Sequence, residues 1–458
     1  MLRTVAEYLS ALGAGQTTSR ELVEECLVAA TDPAGEGART FIRLYEDSAL
    51  RVSDRSDQLR RSGIHKGPLM GLPISIKDLF DVAGETTTAG SIVLGDAAPA
   101  RQDAVVVKRL RDAGAVLIGR TNMTEFAYSG LGLNPHFGTP RNPYDRALGR
   151  IPGGSSSGAA VSVSDGMAAA AIGTDTGGSV RIPAALCGLT GFKPTARRVS
   201  LDGVFQLSSS LDSVGSIAPT VACCALLDSV LSGESRSRPA VSSLAGLRLG
   251  VLQGYVLDDL DEDVARCFSY ALKALADAGA ELREAHFDSL SQIPRMNADG
   301  GLAAAESYKH HRELIGLRGE SYDPRVLSRI LRGREILEED YRRKVCSRSS
   351  IIAEAEQAFA GLDAWLMPTV PRTAPSIVEL ESSDAAYFET NTAMLRNPSV
   401  INFIDGCALS LPCHLPGDVP VGLMVAALCG SDQRLLSIAA GIEAALARAG
   451  FAIPCNAD

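Results

Sequence analysis

The sequence predicts an α/β protein built as one large domain, and three observations carry that reading. A helical pattern from Ala104 to Ala113 stops at Gly114 and feeds the apolar run Ala115–Ile118 at once. The same device returns where Asp263–Ala278, with apolar Val264, Phe268, Leu272 and Leu275, stops at Gly279 before another short strand. Strands and helices interleave along the whole chain with no Pro/Ser-rich linker, so a single domain over residues 1–458 is expected. A length prior of about 150 residues per domain would also allow roughly three units, and composition does not choose between them. The DAGA turns at Asp112 and Asp277 share local chemistry, but their flanks show no repeat.

Taken in order, the chain opens with two capped helices. Thr4 and Glu7 stand at capping-box spacing, as do Thr18 and Glu21 ahead of Leu22, Val23, Cys26, Leu27 and Ala30. GLPISI, residues 71–76, reads as a short buried strand. Met167–Ile172 is a second apolar segment, within an Ala-rich stretch that Asp165 interrupts. From about Ala303 to Ala358 the pattern is helical and rich in Arg and Glu, with Leu327, Ile330, Leu331, Leu337, Tyr341 and Val345 available for a buried stripe. This region is read either as a lid over a site or as a peripheral helical layer. A last buried strand spans roughly Val419–Leu428, followed by a helix from near Asp432.

Composition narrows the function classes. The chain has 458 residues, with 44 basic and 54 acidic side chains and a net charge of −10. Such a balance disfavours nucleic-acid binding, whose affinity comes from neutralising phosphates. With 46% hydrophobic residues and no apolar run near the roughly 20 residues a bilayer span needs, a globular protein without membrane insertion is expected. The N-terminus lacks the long apolar core of a signal peptide, and the ten cysteines form no CxxC pair. Reduced thiols in a cytoplasmic protein follow. Six histidines with no HxxxH pair give little support to a metal site, and His310–His311 reads as a surface pair.

The chemistry concentrates in Arg150–Thr195, where two Gly/Ser clusters flank an apolar segment. Neither GGSSSG nor GTDTGGS fits a P-loop or a dinucleotide fingerprint, and no lysine follows either loop. Acyl transfer fits better. Glycines in Thr176-Gly177-Gly178-Ser179 let main-chain N–H groups approach a reacting carbonyl whose oxygen becomes negative, and the loop lies where a strand gives way to a helix. A serine nucleophile needs a base, yet no GxSxG elbow and no nearby histidine accompany Ser179. Lys77, at the end of GLPISI, is the better candidate. Its ordinary pKa of about 10.4 leaves one lysine in a thousand or fewer neutral at pH 7, so burial must lower it.

These residues resemble the amidase signature hydrolases. Lys77 after GLPISI, GGSSSG at Gly153–Gly158, and GTDTGGSVRIPAALCG followed by GFKPT carry the resemblance. GRTNMTEFAYSG at Gly119, GTPRNPYD at Gly138, MPTVPRTAP at Met367 and the final VPVGLM extend it over nearly the whole chain. The resemblance implies a large mixed, mostly parallel twisted sheet covered by helices on both faces. It implies a catalytic set of Ser179 as nucleophile, Ser155 as the serine preceded by a cis peptide bond, and Lys77 as base. Thr176, Gly177, Gly178 and Ser179 would form the oxyanion hole, and Phe126, Ala127, Tyr128 and Ser129 would line the acyl side of the pocket. Ser156, Ser157, Asp175 and Arg181 read as organisers of the loops.

The activity so implied is cleavage of a carboxylic amide C–N bond through an acyl-serine, with esterase side activity and neither metal nor organic cofactor. The expected partner is a small amide or ester substrate, and the resemblance favours a homodimer. Alternatives are the glutamine-hydrolysing component of an acyl-tRNA amidotransferase, a carbamate hydrolase of the same family, and a scaffold that has lost catalysis.

Overall fold

The computed structural model describes residues 2–234 and 240–453. Among the described residues eleven strands form one sheet: β1 Phe41–Leu44, β2 Pro73–Lys77, β3 Val116–Thr121, β4 Ala170–Asp175, β5 Thr190–Lys193, β6 Ser213–Ala218, β7 Arg248–Leu252, β8 Glu281–Ala285, β9 Ala364–Pro368, β10 Cys407–Pro412 and β11 Gly422–Ala427. Their order across the sheet is β1-β3-β2-β4-β6-β5-β10-β11-β9-β7-β8. The sheet is mixed, as expected, but not mostly parallel. Only β2–β3, β2–β4, β7–β8 and β7–β9 run parallel, while the six other neighbouring pairs are antiparallel.

The period-2 alternation of a strand explains how both faces are covered. On β11, Leu423, Val425 and Ala427 pack with Leu435, Leu436 and Ile438 of the helix Asp432–Arg448. Met424 and Ala426 turn the other way, onto Val400, Ile401 and Phe403 of the helix Asp384–Phe403. Each such aliphatic side chain taken out of water contributes roughly 1.5–3 kcal/mol, so a strand buried on both faces is strongly held in register.

Both capping boxes form. Thr4 and Glu7 start the helix Val5–Gly13, and Thr18 and Glu21 start Ser19–Thr31, each with the side chain of one residue bonded to the backbone N–H of the other. In the Arg/Glu-rich region three helices, Gly301–Arg318, Pro324–Leu331 and Glu338–Phe359, bury Ile330. The expected stripe breaks at Leu337 and Val345, which are 67% and 39% exposed, because Leu337 precedes the last helix and Val345 lies on its outer face. His311 is not at the surface. It is buried, with Nδ1 3.0 Å from the Tyr322 hydroxyl, while His310 is exposed. Among the described residues the cysteines are free, with Cys346 and Cys429 exposed, and Cys455 lies outside the described residues.

Candidate active site

The two parallel neighbours β2 and β4, paired Ile76 to Ile172, end side by side. That places Lys77 beside Thr174 and carries the chain from Asp175 straight into Thr176–Ser179. Strand carboxyl ends are where open α/β sheets bind ligands. Lys77 is fully buried, and its Nζ donates to Ser155 Oγ at 2.8 Å and to Thr174 Oγ1 at 3.0 Å. Burial pushes the Lys77 ammonium down to about 7, against the opposing field of the Asp212 and Asp175 carboxylates. A far larger share of the molecules therefore holds a neutral amine at pH 7 than an exposed lysine would.

With the folded pKa near 7 and the unfolded value near 10.4, the unfolded chain binds one more proton between those limits. Lys77 thus makes stability rise with pH across that window by about 1.4 kcal/mol per unit. Lys77→Met should flatten that segment relative to the wild type in urea unfolding followed from pH 7 to pH 10, and an unchanged slope would contradict the buried, neutral amine.

Ser155 sits in the loop before the helix Ser157–Ser164, and the Gly154–Ser155 peptide bond is cis, as the resemblance implies. The loop is clamped by main-chain bonds: Gly154 N–H donates to the Gly130 carbonyl at 2.8 Å, and Thr124 N–H to the Ser155 carbonyl at 3.1 Å. A side chain at Gly154 would meet Gly132 N at 2.4 Å, so only glycine fits this crossing. Ser156 and Ser157 serve the loops, their hydroxyls reaching the carbonyls of Thr174 and Asn122.

Ser179 is 3% exposed and lines a cavity of about 670 Å³. Its loop is joined to that of Ser155 by Ser156 N–H donating to the Ser179 carbonyl at 3.2 Å. No hydrogen bond joins the Ser155 and Ser179 hydroxyls themselves.

Asp175 fixes the shape of the loop Thr176–Ser179. Its Oδ1 accepts from Gly178 N–H at 2.8 Å and Asn402 Nδ2 at 2.9 Å, and its Oδ2 from Val180 N–H at 3.1 Å. The buried Arg181 grips both oxygens, Nη2 to Oδ1 at 2.9 Å and Nε to Oδ2 at 3.0 Å. Burial alone would raise this carboxyl, but the Arg181 guanidinium outweighs it and holds Asp175 below the usual carboxylate range. Arg181→Met would strand that charge, so a loss of about 3–5 kcal/mol in urea unfolding at pH 7 is expected; a loss below about 1 kcal/mol would show that the pair does not hold the loop.

This arrangement corrects one expectation. Gly178 N–H points back to Asp175 and is not a free donor, whereas the N–H groups of Thr176, Gly177 and Ser179 have no acceptor among the described residues. Those three residues line the cavity and Gly178 does not. Gly178 holds φ +130°, and a Cβ there would meet Pro398 Cβ at 2.7 Å.

Of the pocket residues expected from sequence, Ala127, Tyr128 and Ser129 line the cavity. Phe126 does not. Its φ of +51° turns it into an aromatic cluster, with ring centres 4.4 Å from His311, 5.2 Å from Tyr322 and 5.4 Å from Phe205. Sequence reasoning missed Thr174, Asp212, Asn391 and Asn402. Asp212 accepts from Thr176 Oγ1 at 2.5 Å and from Leu207 N–H at 2.9 Å, and burial pushes it up to about 6. Asn391 Oδ1 accepts from Ser129 Oγ at 2.9 Å and Gly130 N–H at 2.8 Å, holding the pocket wall to the helix Asp384–Phe403.

Similarity to known proteins identifies the family. A family model described as Amidase matches residues 21–436. A 2-amino-5-chloromuconic acid deaminase from Comamonas testosteroni is 35% identical over 448 residues, 96% of each chain. The A-subunit of a glutamyl-tRNA(Gln) amidotransferase from Chloroflexus aurantiacus is 34% identical over 471 residues, 95% of each chain. A crystal structure of an amidase superposes with a TM-score of 0.87 at 33% identity, covering 96% of this chain and 99% of that one. The chain therefore belongs to the amidase family and acts on carboxylic amide C–N bonds.

Proposed function

We propose that the protein cleaves its amide through an acyl-Ser179 intermediate, with Lys77 as base and Ser155 as the relay between them. The observation that carries this reading is the 2.8 Å hydrogen bond from a buried Lys77 to Ser155, beside a cavity floored by Ser179. Neutral Lys77 takes the Ser155 proton, and Ser155 turns to take the Ser179 proton as Ser179 attacks. The two loops that carry these hydroxyls are joined by the bond from Ser156 N–H to the Ser179 carbonyl, which keeps the serines neighbours. The free N–H groups of Thr176, Gly177 and Ser179 receive the developing oxyanion. Ser155 then delivers a proton to the departing amine, and water hydrolyses the ester.

The same acyl-enzyme should form from esters, whose leaving group departs more easily. The continuous eleven-stranded sheet supports one catalytic domain, with the helices of 301–359 contributing Ala303, Ser328 and Arg329 to the cavity wall. Action in the cytoplasm, as a homodimer, completes the reading.

Hydroxylamine offers the test. Added during turnover of an amide, an anilide and an ester that share one acyl group, it should divert that group to a hydroxamate at a common ratio for all leaving groups. A ratio that changes with the leaving group, or no hydroxamate at all, would overturn the acyl-enzyme.

A further inference from the structure

We infer that the cavity selects amides bearing a carboxylate, which Arg329 and Arg396 bind; the inference rests on Ser179 as the reacting residue of that cavity. In a protein of net charge −10, the cavity is lined by Arg329, Arg332 and Arg396, and its described lining contains no Asp or Glu. Among the described residues none of these three arginines has a carboxylate within ion-pairing distance. Arg325, one turn before Arg329 on the same helix, shows the usual outcome: its Nε lies 2.7 Å from Asp384.

Neutral groups hold the two guanidiniums in place. Arg329 Nη1 donates to the Tyr128 carbonyl at 2.5 Å, and its guanidinium lies over the Tyr128 ring, 4.4 Å from the centre. Arg396 Nε donates to Asn397 Oδ1 at 3.0 Å and its Nη2 to the Val256 carbonyl at 3.3 Å. Each keeps donors without a partner among the described residues. Burial also pushes Arg396 below its ordinary value, against the field of Asp258 and Asp259, so this cation gains from a counterion. A ligand carboxylate supplies one and accepts two parallel N–H groups from a fixed fork.

The placement relative to the reacting loop is favourable. Arg329 lies against Tyr128 and lines one wall of the cavity. Arg396 lies between Leu395 and Ser399, whose side chains come within 3.6 and 3.9 Å of where a Cβ of Gly177 would be. Both arginines line the same cavity as Thr176, Gly177 and Ser179, so a carboxylate held by either shares that cavity with the donors of the loop. The lining offers no acid to an ammonium group, so a monoamide of a simple dicarboxylic acid fits better than a zwitterionic amino-acid amide such as glutamine.

Binding separates this inference from the catalytic reading. Calorimetry on Ser179→Ala, which holds the ligands without turnover, compares three matched pairs: succinamate with butanamide, glutaramate with pentanamide, and adipamate with hexanamide. The best carboxylate should bind at least tenfold tighter than its neutral partner and tighter than glutamine. The preference should shrink to threefold or less in Arg329→Gln combined with Arg396→Gln, and return in part with the two lysine replacements, which also control for misfolding. All pairs within threefold, glutamine as the tightest ligand, or a preference that survives the double glutamine replacement would overturn the inference. The catalytic reading is judged separately, by whether a fluorophosphonate labels Ser179 in the wild-type protein.

Discussion

Ser179→Ala should lower amide turnover by a factor on the order of 10⁴ to 10⁶ and leave the fold intact. A nucleophile that works with its base as one unit shows a loss of this size when it alone is removed. The fold should survive because the Ser179 side chain makes no hydrogen bond among the described residues. Its loop is held instead by Asp175, Arg181 and the Ser156 N–H. Turnover measured under conditions where the variant's thermal unfolding matches the wild type isolates the chemistry. Activity within tenfold of wild type would assign the nucleophile elsewhere.

Lys77→Ala should cost on the order of 10²- to 10⁴-fold at pH 7, with partial recovery in alkaline solution. The sign comes from the buried amine. Wild-type kcat/KM should rise as pH passes through about 7, where Lys77 loses its proton, and fall on the acid side, where the ammonium cannot accept one. The variant lacks that inflection, and only hydroxide at high pH replaces the missing base. A pH profile of kcat/KM for both proteins, on one substrate between pH 5.5 and 10, reads the difference. Parallel profiles would make Lys77 a structural residue.

Much of this site was legible because its parts are local. Lys77 ends an apolar strand, and the glycines around Ser155 and Ser179 mark places where the backbone turns or crosses closely, which a residue pattern records directly. Capping boxes at Thr4 and Thr18 are read the same way, from four consecutive residues. What escaped depends on residues distant in sequence. The occupation of Gly178 N–H by Asp175 is a matter of three-dimensional reach and leaves no spacing signal.

The helix Asp384–Phe403 was invisible for a physical reason: its buried face carries Asn391, Asn397 and Asn402, and Pro398 lies inside it. Tyr387, Met394 and Ile401 repeat along that face, but the polar groups between them, which hold loops, break up the apolar pattern. Asn397 Nδ2 reaches the carbonyls of Val256 and Pro368, and Asn402 reaches Asp175. β6, one of the antiparallel strands, was missed for a related reason. β6, SVGSIA, is wholly buried but small and partly polar, so neither its existence nor its direction is written in a hydrophobic run.

The most direct test of the relay is the rate at which a fluorophosphonate labels Ser179, measured against pH with the adduct mapped by mass spectrometry. In the wild type the rate should climb through an inflection near pH 7, and in Ser155→Ala and in Lys77→Ala it should be at least a hundredfold slower at pH 7 and lose that inflection. Labelling at another residue, or equal rates in all three proteins at pH 7, would contradict a proton path that runs from the Ser179 hydroxyl to the amine at the end of β2.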